Sequence, residues 1–474
     1  MNNSILPNGW VCAQYQDIYL SASNGVGGTQ NKDGKGLPVS RIETIANESV
    51  DYERIGHITI YDEKKVEKHR LMAGDILFSH INSPVHLGKT AIYDGKHQLF
   101  HGINLLRIVV DRRLILPSIL NYHCKYIRAL GDFSAEAQHA VNQSSLNQKK
   151  LGSFNIPLPP LAEQKIIADK LDDLLARVEC IKTRLENIPE ILKKFRQSVL
   201  SSAVSGELTE EWRNKYSDSV EVFTELDGMN CFRDIALPKL PKKWKWLRFD
   251  QVADIASNLK SPLDYPDAIH IAPNHVESWT GKLSDFQTIS QDNVTSAKHE
   301  FYPGQIIYSK IRPYLCKVSI AKFGGLCSAD MYPINSKIET DYLFRWMLTI
   351  TFTDWASNAE SRSVLPKINQ KDLSKVPVPT PPIPEQQEII RIVQIYLSYA
   401  DSMQRLVCNG LLRITSLTQS ILAKAFRGEL TAQWREENPD LISGLNSAEA
   451  LLEKITAEKL AAGTIKKRAK KTSQ

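Results

Sequence analysis

The sequence predicts a mixed α/β protein in which two α+β regions alternate with two long helices. Three observations carry this prediction: an internal repeat, short β-branched runs bounded by glycine and proline, and two heptad patterns of apolar residues. A chain of 474 residues is too long for one hydrophobic core and fits several domains. Because the two halves are related, we expect a pseudo-two-fold object.

The internal repeat consists of matched segments at the ends of each half. Glu385 follows Glu163 by 222 positions, and Gly428 follows Gly206 by the same 222. Upstream the offset drifts to 234 and then 230, so the two interiors differ in length. The chain is therefore a tandem duplication with similar ends and divergent interiors. The matched segments are Pro160–Gln164 with Pro382–Gln386, Gly206–Arg213 with Gly428–Arg435, Leu6–Trp10 with Leu240–Trp244, and Gly74–Ser79 with Gly304–Ser309.

These patterns divide the chain into six parts. Runs such as Gly74–Ser79 and Ile103–Val110 have the composition of strands and lie in the first mixed region. The predicted parts are a first mixed region (1–156), a first helical segment (157–213), a polar linker (214–239), a second mixed region (240–376), a second helical segment (377–437), and a short helix with a basic tail (438–474).

Proline-rich stretches precede both helical segments. We expect Pro157–Pro160 to stop regular structure, and Val376–Pro382 to do the same in the second copy. A helix should begin near Leu161, with Glu163 in its first turn, where a negative charge is favourable. Each long helix should end at a C-cap glycine, Gly206 or Gly428.

Both predicted helices carry an apolar seam in alternating steps of four and three, which is the coiled-coil period. We expect the two seams to pack antiparallel. Pro189 should kink or split the first helix, whereas Leu411 stands at the equivalent place in the second, which could run straight. The seam residues are Ile167, Leu171, Leu174, Val178, Ile181, Leu185 and Ile188 in the first helix, and Ile389, Val393, Tyr396, Ala400, Met403 and Val407 in the second.

The composition is that of a soluble globular protein. No apolar run approaches the length of a membrane span, and the first residues lack the pattern of a secretory signal, so we expect the chain in the cytoplasm. Seven scattered cysteines without a C-x-x-C pair predict neither disulfides nor a zinc site. Five basic residues between 466 and 471 supply nearly all of the net charge of +6. Any DNA binding by the body must therefore use local patches.

Motifs for catalysis are missing from the sequence. Gly88-Lys89-Thr90 resembles the end of a phosphate-binding loop, but Ser83 stands where the first glycine is needed. The run Gly25–Gly28 lacks the third glycine of a dinucleotide fingerprint. We find no Asn-Pro-Pro-aromatic tetrad of amino-methyltransferases, no paired histidine ligands and no nucleophile triad. The sequence thus predicts a chain with no catalytic residues, metal or cofactor of its own.

Two pairs of matched loops are the best candidates for binding. One loop follows the matched strand in each half, and the other precedes each proline stretch. Their side chains could reach base edges or phosphates, although a plain surface role is about as good an interpretation for any single residue. The candidates are Ser79, His80, Asn82, Ser83, His86, Lys89, Asn142, Gln143 and Ser144 in the first half, and Ser309, Lys310, Arg312, Tyr314, Ser361, Arg362, Ser363 and Lys367 in the second.

The whole pattern resembles the specificity (S) subunit of Type I restriction-modification systems. The resemblance rests on helices that open on Pro-Pro-x-x-Glu-Gln and close on Gly-Glu-Leu-Thr-x-x-Trp-Arg. The stretch Ser420–Leu430 is similar to the enterobacterial K-type (Type IA) group. The most specific segments are Pro157–Gln164, Gln197–Arg213, Pro381–Gln387 and Gln419–Arg435.

The resemblance implies that each mixed region is a target recognition domain for one half of a split double-stranded DNA site. The helices would act as a ruler, since Leu161 to Pro189 spans ~40 Å and one DNA turn is about 34 Å. It further implies two methyltransferase (M) subunits docked on the helices, with Trp212 and Trp434 in that region. Two restriction (R) subunits would complete the complex. S-adenosylmethionine, ATP and magnesium would be bound by these partners.

Two other interpretations stay open at this stage. The chain could be a coiled-coil scaffold whose two heads bind protein, which predicts no sequence-specific DNA affinity. A self-contained DNA methyltransferase or nuclease would require a cofactor or metal motif that the sequence lacks. The sequence does not give the recognised bases, because each Arg, Lys, Asn or Gln has several possible base partners.

Overall fold

The computed structural model describes residues 6–31, 34–59, 66–140, 143–216, 223, 225–357 and 366–462. The chain forms two compact units, one of Met1–Arg184 with Gly410–Gln474 and one of Leu185–Asn409. Each unit contains one α/β region, the beginning of one long helix and the end of the other. The predicted mixed α/β class with two long helices is confirmed.

The α/β region of the first unit is built on a four-stranded antiparallel sheet. Its strands lie in the order Tyr19–Asn24, Leu106–Val110, Ile76–Phe78 and Thr90–Ile92. The strand Ile76–Phe78, which we call the central strand, is fully buried. The helix Pro117–Leu130 has one buried face. A short continuous apolar run of this kind is typical of a strand that is covered on both faces.

The second unit has a sheet with the same strand order. Here the strands are Ala253–Ile255, Met331–Ser336, Ile306–Ser309 and Val318–Ile320. The buried central strand is the copy of Ile76–Phe78, as the matched sequences predict. The duplicated sequence therefore gives each unit its own four-stranded sheet with the same strand order.

The remaining sheets differ between the units. The first unit adds two three-stranded sheets, and the second adds one five-stranded sheet. This divergence agrees with the drift in the repeat offset. The strands are Gln30–Asn31, Gly56–Ile58 and Leu37–Val39; Gln138–Ala140, Gln143–Ser145 and Ile81–Asn82; and Leu259–Lys260, Lys298–Phe301, Gly325–Ser328, Ile269–Ile271 and Gln287–Thr288. A hairpin of Cys231–Phe232 and Ile235–Ala236 precedes the second region.

The proline-rich stretches form strands, and the expectation that they stop regular structure is wrong. Asn155–Leu158 pairs antiparallel with Val11–Gln14, and Pro377–Thr380 pairs in the same way with Lys245–Arg248. Each proline strand has a single neighbour in its two-stranded ladder. Proline is tolerated there because an edge strand need not donate a hydrogen bond from every residue.

The two long helices begin and end as the sequence predicts. They span Leu161–Ser205 and Ile383–Phe426. Gly206 and Gly428 follow them with φ of 82° and 73°, in the left-handed region that glycine adopts without steric cost. Pro189 lies inside the first helix, which continues through it, so of the predicted kink or split the split is wrong. A proline removes one backbone hydrogen bond, and the bonds on either side can continue the helix.

The two helices run antiparallel within each unit. In the second unit, the Arg196 guanidinium bonds the Asp401 carboxylate at 2.8 Å, while Thr209, further along the first helical segment, bonds Glu385 near the start of the second helix. In the first unit, Lys170 Nζ donates to the carbonyl of Leu430 at 2.8 Å. The contacts move in opposite directions along the two segments, as an antiparallel pair requires.

Burial along the seams favours one of the two alternating positions. Five residues spaced by seven in the second helix are all buried, namely Val393, Ala400, Val407, Ile414 and Ile421. The second helix also buries Ile389. In the first helix Ile167, Leu171 and Val178 are buried, and Leu174, Leu185 and Ile188 are partly buried. The other position is more open, with Ile181 51%, Tyr396 40% and Met403 51% exposed.

The second long helix also reaches the length and hydropathy of a membrane span, contrary to expectation. Its most apolar 18-residue window has a mean hydropathy of 1.2, and 22% of that window is buried. Length and composition alone are weak grounds for a membrane segment. Ile389 and Val393 of this helix belong to the hydrophobic core of the second unit.

The shorter helices complete the two units. The first unit contains Tyr15–Ile18, Asp132–Ala135, Gln148–Gly152, Ala432–Glu437 and Ala448–Ala461. The second contains Glu210–Tyr216, Phe249–Val252, Ile289–Asp292, Thr340–Met347, Ile350–Ser357 and Gln370–Leu373. The helix Ala448–Ala461 is the short helix that the sequence predicts before the tail.

Candidate nucleic-acid interface

The two predicted binding loops of the first unit lie side by side. The strand Ile81–Asn82 pairs antiparallel with Gln143–Ser145, with Asn82 opposite Ser144. The backbone N–H of Leu146 extends the pairing by donating to the carbonyl of His80 at 2.9 Å. We call residues 79–83 and 143–147 the first loop pair. Two loops that are about sixty residues apart in sequence thus form one surface.

His80 lies at the floor of a cleft beside the first loop pair. The cleft has a volume of about 620 Å³ and is lined by Asn24, Asn147, Gln148 and Lys149, among other residues. His80 is 5% exposed, and its Nδ1 has no hydrogen-bond partner within the described chain. Burial lowers the pKa of His80 to about 4, so the imidazole is neutral at pH 7.

Several candidate residues of the first unit hold the loop in shape. Asn82 Nδ2 donates to Ser79 Oγ at 3.1 Å, and Asn82 Oδ1 accepts from the backbone N–H of Ser83 at 2.8 Å. Lys89 Nζ donates to the carbonyl of Ala46 at 2.7 Å. Ser79 and Ser144 are each 1% exposed. His86 is exposed and Ser83 partly so.

The second unit brings its two candidate loops together in the same way. The backbone N–H of Arg312 donates to the carbonyl of Pro366 at 2.8 Å, and that of Ile368 donates to the carbonyl of Lys310 at 2.9 Å. A β-bridge joins Ile311 and Lys367. We call residues 309–314 and 366–368 the second loop pair. The same pairing recurs although the sheets around the two loop pairs differ.

The second loop pair presents basic and aromatic side chains. Arg312 and Lys367 are exposed, and Tyr314 is 49% exposed. Lys310 Nζ lies 5.3 Å from the centre of the Tyr332 ring, a cation–π contact. Ser309 is buried, and its Oγ donates to the carbonyl of Ile311 at 3.1 Å. Such side chains can contact both phosphates and base edges.

Four candidates, Asn142, Ser361, Arg362 and Ser363, lie outside the described residues, and of Gln143 only the backbone is described. Sequence reasoning missed Asn24, Gln148 and Lys149, which share the cleft with His80. Gln148 and Lys149 could have been found from the sequence, because they belong to the polar run that follows Leu146. Asn24 comes from a distant strand and carried no such signal.

A second site explains why the ends of the repeat are so similar. In the first unit, the Glu163 carboxylate accepts hydrogen bonds from Trp10 Nε1 at 2.8 Å, from Thr431 Oγ1 at 2.6 Å and from the Arg435 guanidinium. Burial raises the pKa of Glu163, and these donors oppose the rise. We call this group the first clasp.

The second unit contains the same arrangement. Glu385 accepts from Trp244 Nε1, Thr209 Oγ1 and Arg213 Nη1, each at 2.8 Å. Arg213 also lies over the Trp244 ring, 5.7 Å from its centre. In each unit, therefore, the threonine and arginine of the Gly-Glu-Leu-Thr-x-x-Trp-Arg segment of one repeat bind the glutamate at the start of the other repeat's helix. We call this group the second clasp.

The clasps use residues to which the sequence analysis assigned no binding role. Trp212 and Trp434 were expected to bind a subunit or the coiled coil, but the threonine and arginine beside them make the buried contacts. Trp212 packs against Tyr216, with ring centres 5.3 Å apart. Trp434 is partly buried, and its carbonyl accepts from Asn438 at 2.8 Å.

The glutamine beside each clasp glutamate fixes the start of its helix. Gln164 Oε1 accepts from the backbone N–H of Leu116, and its Nε2 donates to the carbonyls of Leu114 and Pro159. Gln386 repeats this with Glu339 and Pro381. Both glutamines are fully buried. Their bonds tie the helices to the α/β regions.

The long helices leave many large apolar side chains in solvent. The exposed residues are Ile395, Tyr396, Tyr399, Met403, Leu406, Leu412 and Leu417 on the second helix, and Ile181, Ile191 and Phe195 on the first. Apolar surface of this extent on two neighbouring elements is typical of a protein-binding site. Within the described ranges, no group of three or more His, Cys, Asp or Glu could hold a metal ion.

Comparison with known proteins agrees with this architecture. The family model of the Type I restriction modification DNA specificity domain matches residues 17–190 and 241–406. The EcoDI specificity subunit of Escherichia coli is 67% identical over 319 residues, covering 67% of this chain and 72% of that protein. The EcoKI specificity subunit of E. coli K12 is 32% identical over 501 residues and covers 100% of both chains.

Solved structures show the same fold at low sequence identity. One, from work on assembly and conformational transition of the type I restriction-modification system, has a TM-score of 0.64 at 16% identity and covers 90% of this chain and 100% of that chain. The HsdS subunit of Thermoanaerobacter tengcongensis has a TM-score of 0.53 at 16% identity, with coverage of 90% and 99%. This chain belongs to the family of Type I restriction-modification specificity subunits.

Proposed function

We propose that each α/β region of this chain reads one half of a split double-stranded DNA target. The observation that carries the proposal is the recurrence of the loop pairs. In both units two loops lie side by side after the corresponding strand of the four-stranded sheet, yet the loops carry different side chains. A common frame with different contact residues suits two half-sites of different sequence.

We assign the residues of the loop pairs to two roles. The exposed Arg312, Tyr314 and Lys367 and the partly exposed Ser83 and Lys310 are candidates for direct DNA contact. His80 at the cleft and the exposed His86, which follows the first loop pair in sequence, are further candidates. The buried Ser79, Ser144 and Ser309, with Asn82 and Lys89, support the loop backbone. The candidates outside the described residues, Asn142, Ser361, Arg362 and Ser363, and the side chain of Gln143, remain predictions.

We further propose that the long helices set the gap between the half-sites. A helix of 45 residues is about 68 Å long at 1.5 Å per residue. The part from Leu161 to Pro189 spans ~40 Å, which exceeds one DNA turn of about 34 Å. The clasps support this role because they bind the ends of the helical segments to the α/β regions through buried charged hydrogen bonds.

The exposed apolar helix surface would be the site where two methyltransferase subunits dock. Two restriction subunits would join through that complex, with S-adenosylmethionine, ATP and magnesium on the partners and none on this chain. The non-catalytic character of the family's specificity subunits fits the missing catalytic motifs. A protein partner bound to the apolar second helix would cover its exposed side chains, so no membrane is needed to explain them. We propose that the chain acts in the cytoplasm, where its DNA lies.

A scaffold whose heads bind protein is the alternative, and it is less favoured. It accounts for the helices, but it gives no reason why the same pairing of two loops recurs in both units, with exposed Arg312 and Lys367 in the second. It also does not explain why the chain matches a DNA specificity family.

Adenine methylation mapped by long-read sequencing tests the proposal. The host would express this chain with its neighbouring methyltransferase, and a matched strain would lack the chain. We expect one split motif with a fixed gap of unspecified bases, present only when the chain is expressed. A motif that persists without the chain, or the absence of any motif, would favour the protein-binding scaffold.

A further inference from the structure

Arg312 has an unusual backbone conformation for an arginine. Its φ of 46° and ψ of 59° lie in the left-handed region, which side chains other than glycine, asparagine and aspartate seldom adopt. At the other end of the same central strand the chain uses glycine for a positive φ, with Gly304 at 89°. A residue that keeps its side chain at such a position is often part of a functional site.

Two hydrogen bonds hold Arg312 in this conformation. Its N–H donates to the carbonyl of Pro366 at 2.8 Å, across the second loop pair, and its carbonyl accepts from the N–H of Leu315 at 2.9 Å. Pro313, which follows, is buried and fixes its own φ. The position of the Arg312 Cα is therefore set by contacts on both sides, which limits the directions that its side chain can take.

The Arg312 side chain has no partner among the residues that the structure describes. Several other arginines of the second unit are paired with carboxylates, among them Arg213 with Glu385 and Arg196 with Asp401. Arg312 is exposed, and no hydrogen bond or ion pair of its guanidinium occurs within the described ranges. Tyr314 and Lys367, both exposed, flank it on the two loops. The backbone thus fixes the point from which the Arg312 side chain extends, and the side chain is exposed.

Building on the DNA-reading function proposed above, we propose that Arg312 recognises a guanine in the half-site bound by the second unit. The guanidinium fork can donate two parallel hydrogen bonds to guanine O6 and N7 in the major groove. A fixed backbone favours base reading, because phosphate contacts tolerate a mobile side chain while a bidentate base contact requires one orientation. Lys367 and Tyr314 would contact the DNA backbone on either side.

The first unit does not repeat this contact. Asn82 is the residue equivalent to Arg312 in the matched strand ends, 230 positions earlier. Both ends of the Asn82 amide make hydrogen bonds, to Ser79 and to the N–H of Ser83. The first unit must therefore read its half-site with other side chains, and the guanine belongs to one half-site alone.

Arg312→Gly is the sharpest variant for a test. Glycine adopts a positive φ freely, so the backbone keeps its conformation and the thermal unfolding temperature should not fall. Arg312→Lys keeps the charge and removes the bidentate fork. Lys322→Ala is the matched control, because Lys322 is exposed and follows Ala321, which bonds Gly304 at the opposite end of the central strand.

The readout is the methylation motif of each variant, expressed with the methyltransferase partner. For Arg312→Gly and Arg312→Lys we expect one guanine position of one half-site to become degenerate, with discrimination reduced about 10- to 100-fold. The other half-site and the Lys322→Ala motif should not change. These results would assign the guanine contact to Arg312.

Three results would overturn the assignment. An unchanged motif in Arg312→Gly would show that no base is read there. A loss of affinity that is equal for all bases, reduces the salt dependence of binding by about one phosphate contact and is rescued by Arg312→Lys would indicate a phosphate contact. A wild-type chain that gives no split motif would remove the proposed function itself, and the assignment with it.

Discussion

Trp10 donates a 2.8 Å hydrogen bond to the carboxylate of Glu163, 153 positions further along the chain. Trp244 and Glu385 make the same bond at 2.8 Å in the second unit. Each indole directly precedes a strand, Val11–Gln14 or Lys245–Arg248, and therefore joins its α/β region to the first turn of the long helix that follows. Arg435 and Arg213 then bring the end of the other helical segment to the same carboxylates.

Breaking a clasp should destabilise the unit that contains it. In Glu385→Gln the shape of the side chain is kept, but Arg213, 12% exposed, loses its counter-charge. Removing one partner of a buried pair costs about 3 kcal/mol. Denaturant unfolding measures the free energy, and hydrogen exchange at residues 244–250 locates the loss. As a control, Asp173→Asn breaks an exposed pair with Arg177 and should change the free energy of unfolding by less than about 0.5 kcal/mol. If the two variants lost equal stability, the stabilising role of the clasp would be contradicted.

Buried histidines should make the first unit sensitive to acid. Burial lowers the pKa of His123 to about 3 and the pKa of His101 to about 4, whereas an imidazole in the unfolded chain binds a proton near pH 6.5. Between about pH 4 and 6.5 the unfolded state binds more protons, so the free energy of unfolding falls as the pH falls, by about 1.4 kcal/mol per pH unit for each histidine.

The His123→Phe variant isolates one of these contributions. His123→Phe removes one titrating group, together with the bond to the Tyr15 hydroxyl at 2.7 Å. The variant should lose stability at pH 7 but show a shallower decline between pH 6 and 4, by about 1.4 kcal/mol per pH unit. Urea unfolding at a series of pH values gives both quantities. Parallel pH profiles for variant and wild type would refute this role of His123.

The helix Ala448–Ala461 should stabilise the first unit. Ile455 is buried, Glu458 pairs with Arg113 at 2.9 Å, and the N–H of Ala448 bonds the carbonyl of Gly9 at 3.0 Å. Truncation before Ala448 should cost about 2–4 kcal/mol, chiefly from the lost apolar burial, since exposed ion pairs contribute little. Truncation after Ala462 leaves these contacts intact and serves as the control. Hydrogen exchange at residues 7–18 should increase only in the shorter chain.

Partner binding should depend on the exposed face of the second helix. Leu406 is 62% exposed, so Leu406→Glu should leave the stability of the chain within about 0.5 kcal/mol and still disrupt an apolar interface. Co-purification with the methyltransferase subunit, followed by mass measurement in solution, reports the loss. Arg405→Ala, on a neighbouring exposed position of the same helix, is the control. Normal assembly of the Leu406→Glu chain would place the docking surface elsewhere.

Local patterns in the sequence were sufficient for the helices and for the positions of the candidate loops, but not for the pairing of two loops within each unit. Proline before Leu161 and glycine at 206 limit the first helix by backbone sterics alone, and the recurrence of the strand ends marked the loops. The Glu163–Arg435 contact, across 272 positions, was not predictable in this way. Both repeats contain the same donors and acceptors, so the sequence does not say which copy binds which. Pairing of Asn155–Leu158 as a strand likewise depends on a distant partner, Val11–Gln14.

The most direct test of the two-headed account uses a chain with one altered head. Lys310→Ala combined with Arg312→Ala changes the second loop pair and leaves the first intact. With the methyltransferase partner present, genome-wide adenine methylation should reveal a split motif in which one half is relaxed and the other half and the gap are unchanged. Loss of discrimination in both halves, or in neither, would contradict the account.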